Sequence, residues 1–169
     1  MGANPFLSKF FFLPEFFELA LFTLIAASLL LFYPQILILL LQVNPHLLPY
    51  YFFTWAAGVL LDGYSTWRFY REDPEEFTIK EASLVMKFYY RRLGFIRAAA
   101  ATVATMDGAA AALLALILMP EASKMLSVPA GFPQHLASSM AFLGTMHLTA
   151  AAYNLLTEAA VKRRSPRKF

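Results

Sequence analysis

The chain contains no cysteine, which excludes disulfides, thiolate metal sites, iron–sulfur clusters and cysteine nucleophiles. It is also poor in charge, because Asp, Glu, Lys and Arg make up 15% of its 169 residues whereas 59% are hydrophobic. The mean hydropathy is +0.55. This composition excludes an ordinary water-soluble domain and is typical of a protein that crosses a membrane several times.

Signatures of catalysis are missing as well. The sequence has no G-x-S-x-G element, no Walker loop, no dinucleotide-binding glycine fingerprint and no H-E-x-x-H helix. We therefore expect a protein that is not an enzyme, has no catalytic residues and uses no cofactor. A tight pair of metal ligands such as His-x-x-x-His is also missing, and the sequence leaves the question of a metal open.

Long apolar stretches are abundant. A helix needs about 20 apolar residues to cross the roughly 30 Å hydrocarbon layer of a bilayer. Four stretches meet that need, at residues 15–41, 47–70, 94–119 and 134–161, with Pro34 able to kink the first and Pro120 expected to end the third. The sequence therefore predicts an all-α integral membrane four-helix bundle, in a single transmembrane domain over residues 1–169.

Basic residues mark one side of this predicted bundle. They concentrate between the second and third spans and in the tail 162–169, whereas the other loops hold almost none. The positive-inside rule then puts both termini on the cytoplasmic or matrix-equivalent side, in a plasma or an organelle membrane. Next to apolar spans, such residues favour membrane lipids over nucleic acid as partners.

Residues 81–93 are predicted to form a short amphipathic interfacial helix between the second and third spans. The alternative is that they simply extend the third span. In either case we expect five basic side chains to meet lipid headgroups: Arg68, Lys87, Arg91, Arg92 and Arg97. At the opposite, less basic span ends, His46 and His135 are expected to be interfacial.

Polar side chains inside the spans need a physical reason, because an ionisable group at bilayer depth costs several kcal/mol unless it is paired, protonated or wet. At 100° per residue, each of the last three spans has one face that combines small and polar residues. We expect these faces to pack together around an intramembrane polar cluster: Asp62, Thr66, Asp107, His147 and Asn154. Such a cluster is either a proton or cation site or a set of interhelical hydrogen bonds, and the pattern leaves both open.

From Leu61 to Leu155 the pattern resembles small uncharacterised archaeal and bacterial multi-pass membrane proteins, whose spans carry an Asp-x-x-x-Thr helix followed by a Glu-x-Asn-Pro element. Asp62 and Thr66 match the first element. Glu81-Ala-Ser-Leu stands at the second, with Ser83 and Leu84 where the pattern has Asn and Pro, and GTMHLTAAAYN resembles the polar final helix. The resemblance implies that Asp62, Glu81, His147 and Asn154 act together.

Two functions fit these expectations. The first is a non-catalytic membrane subunit that packs against other subunits and stabilises or assembles a larger complex, since the chain has small-residue helix faces and almost no mass outside the spans. The second is a small oligomeric transporter or channel, a homo-oligomer in which the polar cluster forms a proton or cation path.

Overall fold

The computed structural model describes residues 24, 28, 32, 34–72 and 83–164, without the side chains of Pro34, Phe69, Glu72 and residues 157–164. Within these ranges all regular structure is helical, which confirms the all-α class. The helices are α1 (Pro34–Leu41), α2 (Leu48–Glu72), α3 (Leu84–Leu93), α4 (Phe95–Leu113), α5 (Met119–Met125) and α6 (Phe132–Arg164). A 3-10 turn, Pro45–Leu47, precedes α2, and a π-helical segment, Leu114–Leu118, joins α4 to α5.

One continuous helix in the described ranges is long and apolar enough to cross a membrane. It runs through α4, the π-helical segment and α5, from Phe95 to Met125, with a mean hydropathy of 1.8 over an 18-residue window. The segments Gln35–Leu41 and Pro45–Arg68 meet the same criterion only together, as a pair bent by 73°. These findings agree with membrane association, and they leave the four-span bundle as a prediction.

The helix bounds follow two of the predicted spans closely. α2 lies at the predicted span 47–70 and α6 at the predicted span 134–161, and their ends differ from the predicted ones by one to three residues. The helix at the third predicted span, which begins with α4, does not stop at Pro120 but continues to Met125. A proline ring clashes with the carbonyl four residues earlier in an α-helix, and the wider π-helical turn that precedes Pro120 relieves this clash. Most of the first span and the end of the basic tail lie outside the described residues.

The closest helix crossing joins α2 to α6, the two helices with the most extensive mutual contact. Gly58 and Gly144 meet there. A methyl group on Gly58 would come within 3.0 Å of the Gly144 carbonyl oxygen, and one on Gly144 within 3.0 Å of the Trp55 amide nitrogen. Only residues without a side chain allow backbones this close, and the crossing brings Asp62, one turn after Gly58, to His147, one turn after Gly144.

Two separate apolar clusters hold the rest of the molecule. At one end, residues of α1, the π-helical segment and α5 form a core that α6 completes: Leu37, Leu41, Leu114, Met119 and Ala122, with Phe142 against them. At the other end, Met86 of α3 packs with Phe95 and Ala98 of α4, and Trp67 and Tyr70 of α2 cover them. Asp107 lies on α4 between the two clusters.

The predicted amphipathic helix exists as α3, but its apolar face lies against the protein. Ser83 caps it by accepting a hydrogen bond from the Met86 amide, and Gly94, at φ +71°, turns the chain back into α4. The Tyr89 hydroxyl then reaches the Thr105 hydroxyl at 2.9 Å. Because Thr105 lies about 15 Å along α4 from its start at 1.5 Å per residue, α3 packs beside α4 rather than only at its end.

Candidate functional site

The centre of the site is a histidine held between two aspartates. His147 lies on α6, and its Nδ1 is 2.9 Å from Oδ2 of Asp62 on α2. Its other ring nitrogen, Nε2, is 2.9 Å from Oδ2 of Asp107 on α4. The side chains are largely sheltered, with 18% of His147, 23% of Asp62 and 13% of Asp107 exposed. We refer to Asp62, His147 and Asp107 as the triad.

Neighbouring donors fix both carboxylates. The indole Nε1 of Trp55 donates to Oδ2 of Asp107 at 2.7 Å, so that this oxygen receives a hydrogen bond in addition to its contact with His147. Asn154 Nδ2 points to Asp62 Oδ1 at 3.4 Å and donates to the Ser65 hydroxyl at 3.0 Å. Ser65 in turn donates to the Asp62 carbonyl oxygen at 2.8 Å. The network therefore ties three helices together through charge-assisted hydrogen bonds.

The two hydrogen bonds of His147 hold two protons among the three side chains. Either the imidazole carries both and lies between two carboxylates, or a neutral imidazole accepts one hydrogen bond from a carboxylic acid and donates the other. In both arrangements the triad has a net charge of −1. A proton that moves within the His147–Asp62 hydrogen bond converts one arrangement into the other without any large movement of the side chains.

One carboxylate oxygen of the triad makes no hydrogen bond with the described residues. Within the described part of the chain, Asp107 Oδ1 makes no hydrogen bond, since both contacts of this carboxylate use Oδ2. Asp107 also lines a cleft of about 850 Å³ between α2 and α4. The cleft is largely apolar, and Asp107 is the one formally charged residue among the described residues that line it.

Both ring nitrogens of His147 are engaged by carboxylates, and this limits the chemistry. Within the described ranges, the hydrogen bonds of the imidazole go to Asp62 and Asp107, and no serine, threonine or tyrosine hydroxyl is hydrogen-bonded to it. No group of three or more His, Asp or Glu side chains among the described residues is arranged to hold a metal ion. What the arrangement can do is bind, hold and pass on protons.

Four of the five residues predicted for the polar cluster meet in this network: Asp62, Asp107, His147 and Asn154. Thr66 is half-buried and makes no side-chain hydrogen bond in the described part of the chain; Ser65, one position earlier, contacts Asn154 instead. Trp55 was not predicted. Its spacing of seven residues from Asp62 puts it on the same face of α2 two turns earlier, and this was the available signal.

The five predicted headgroup residues lie where the end of α2, α3 and the start of α4 come together. Arg91, Arg92 and Arg97 are exposed, and Arg68 and Lys87 are half-buried. The Arg92 guanidinium lies 3.7 Å from the centroid of the Phe88 ring and donates to the Phe88 carbonyl. Glu81, which the resemblance groups with Asp62, lies outside the described residues.

The two other histidines are far from equivalent. His46 is exposed, as expected of an interfacial residue, and its amide donates to the Asn44 side chain. His135, by contrast, is buried, with only 4% of the residue exposed, and its Nδ1 has no hydrogen-bond partner in the described ranges. Its neighbours Gln134 and Ser138 donate hydrogen bonds to the carbonyl oxygens of Leu41 and Leu40, so that the start of α6 packs against the end of α1.

Comparison of the chain with protein-family models, with curated proteins and with solved structures finds no match. The resemblance over Leu61–Leu155 therefore stays a prediction, and the function has to be argued from the site itself.

Proposed function

We propose that this chain is a multi-pass membrane transport protein in which the triad is an intramembrane proton-binding site. The observation that carries the proposal is the pair of 2.9 Å contacts that place one imidazole between two carboxylates. Purely structural hydrogen bonds between membrane helices contribute only about 1 kcal/mol each and do not need charged groups. A chain of three ionisable side chains at bilayer depth is expensive, and proton relays of transporters use such chains.

The membrane arrangement of the proposal has four spans, with both termini on the positive-inside side. It is supported by the apolar composition, by the segment from Phe95 to Met125, and by exposed large apolar side chains on several helices, such as Phe53, Leu60, Ile96 and Leu156. In water these side chains would be unfavourable, whereas a bilayer solvates them.

The proposal defines where an additional proton goes. With two protons already in the hydrogen bonds of His147, the next acceptor is Asp107 Oδ1, which has no donor among the described residues and belongs to a residue that lines the cleft. Protonation there cancels the net charge of −1 without breaking either hydrogen bond of the imidazole. The triad thus has a charged and a neutral state that share nearly the same geometry.

Infrared difference spectroscopy tests this directly on the purified protein in lipid nanodiscs. Between a high and a low pH, the wild type should show the reversible carbonyl band of a carboxylic acid, and Asp107→Asn should lack that band. Glu121→Gln is the matched control, because it neutralises an exposed carboxylate that pairs with Lys124 outside the triad. If Asp107→Asn has the same difference spectrum as the wild type, Asp107 does not take up a proton and the proposal is wrong.

The second candidate is a non-catalytic subunit that stabilises or assembles a larger membrane complex. The exposed apolar side chains named above favour it too, because they suit the helices of a partner subunit as well as they suit lipid. Purification from the native membrane in a mild detergent separates the two candidates. Stoichiometric recovery with a larger complex supports the subunit, whereas a particle that contains only this chain supports the transporter.

A further inference from the structure

The cleft between α2 and α4 has walls of two kinds. On the α2 side, aromatic rings predominate: Phe52, Trp55, Tyr64 and Trp67. On the α4 side, small residues predominate: Ala100, Ala104 and Gly108, all of which are exposed. The volume of about 850 Å³ lies within the range of small-molecule sites, about 300–1,000 Å³.

The small residues of α4 were expected to receive another helix. In the described part of the chain they instead border the cleft, and a methyl group added to Gly108 would meet nothing within 4 Å. The space beside them is therefore open to an occupant that is apolar over most of its surface.

The negative charge of Asp107 determines which kind of ligand the cleft favours. Asp107 lines an apolar space, its Oδ1 makes no hydrogen bond among the described residues, and the triad behind it has a net charge of −1 when both hydrogen bonds of His147 are formed. An uncompensated negative charge in apolar surroundings attracts a cation strongly, because little solvent screens it. Aromatic faces that attract cations are also present. One is the Trp55 indole, which donates to Asp107, and the other is the Phe52 ring, whose centroid lies 5.2 Å from that of Trp55.

We infer that this cleft binds a lipophilic organic cation, such as an ammonium or phosphonium ion with bulky apolar substituents, and that Asp107 is its counter-ion. The inference rests on the proposed function and names the substrate class of the same site. The apolar substituents occupy the space between the aromatic residues of α2 and the small residues of α4, and the positive centre lies near Asp107 Oδ1.

Competition follows from this geometry. A proton on Asp107 Oδ1 makes the triad neutral and removes the counter-ion, so that the oxygen serves a proton or an organic cation but not both. The groups that face Asp107 are His147 from α6, Asp62 behind it on α2, and the Trp55 indole; the Tyr64 phenol lines the same cleft. A single site that can hold either a proton or an organic cation, but not both at once, is what a transporter needs to exchange one for the other.

Tritiated tetraphenylphosphonium is the probe, since it is apolar and permanently charged. Its binding to the purified full-length wild type should be saturable and should weaken as the pH falls, because protons then occupy Asp107. Asp107→Asn should weaken binding about a hundredfold, as expected when one partner of a sheltered ion pair is neutralised. Neutral triphenylphosphine oxide should compete poorly.

A variant that fills the cleft separates this inference from the proposed function. Ala104→Leu should weaken binding of the probe at least about tenfold by occupying its space, yet keep the infrared band of Asp107. Ala112→Leu is the matched control, because Ala112 is exposed on α4 but does not line the cleft. It should bind the probe as the wild type does.

Three results would overturn the inference. If the wild type shows the infrared band but no saturable binding of the probe, the proton site stands and the cation site is refuted. Equal binding by wild type, Asp107→Asn and Ala104→Leu shows that the probe only partitions into detergent or lipid. Binding that Ala104→Leu weakens but Asp107→Asn does not shows that the cleft takes a neutral apolar ligand. Absence of the infrared band in the wild type instead refutes the proposed function.

Discussion

A single methyl group at Gly58 tests the crossing that assembles the triad. The Cβ of an alanine there would lie 3.0 Å from the Gly144 carbonyl oxygen and 3.0 Å from the His147 Cβ. Neither atom can rotate away, since one belongs to the backbone and the other is the first atom of its side chain. α2 and α6 must therefore separate by a few tenths of an ångström, and overpacking of this kind costs about 1–3 kcal/mol.

Gly63→Ala supplies the reference, because Gly63 is on the same helix and its added methyl group would meet nothing within 4 Å. Both variants gain about 1 kcal/mol from the higher helix propensity of alanine. We therefore expect Gly58→Ala to have a free energy of unfolding about 1–3 kcal/mol below that of Gly63→Ala. Titration with SDS in mixed micelles, followed by circular dichroism, measures the difference. Equal stabilities for the two variants would refute the close crossing of α2 and α6.

Two further predictions concern the donors and turns around the site. Trp55→Phe keeps the ring but removes the donor to Asp107 at 2.7 Å, and it should lower the free energy of unfolding by about 1 kcal/mol in the same titration. Trp67→Phe, where the indole makes no hydrogen bond in the described ranges, should cost less. Gly94→Ala forces an alanine to φ +71° and ψ 173°, a conformation that costs about 1–3 kcal/mol for a residue other than glycine. A melting temperature equal to that of the wild type would contradict the turn between α3 and α4.

Helical periodicity was sufficient to predict most of the triad network. Asp62, His147 and Asn154 recur at spacings that put them on faces with Gly58 and Gly144, and small residues indicate where two helices approach. Periodicity puts Ser65 on the face of Gly58 and Asp62 with Thr66 beside it, and it was the resemblance to the Asp-x-x-x-Thr element that favoured Thr66. These neighbours differ by 100° around α2, and only the actual crossing with α6 decides which one reaches Asn154.

Other features depend on geometry that no local pattern encodes. The spacing of Trp55 from Asp62 indicates only which face of α2 the indole shares; that it reaches Asp107 depends on the distance between α2 and α4. The small residues of α4 indicated helix packing, and the described structure instead opens a cleft beside them. The burial of His135 depends on how the start of α6 packs against the end of α1, where Ser138 donates to the Leu40 carbonyl.

The π-helical segment determines the rotational phase of α5 relative to α4. A π-helical turn contains about one residue more than an α-helical turn, which offsets the later residues by about 100°. The alanine row that borders the cleft continues in sequence as Ala115 and Ala122, yet both are buried, and Ala122 packs with Met119 in the apolar core. Removal of one residue from 114–118 would cancel the offset and turn this part of the helix out of the core while every remaining side chain stayed the same. The number of residues between Ala111 and Met119 is thus as important to this protein as their identity.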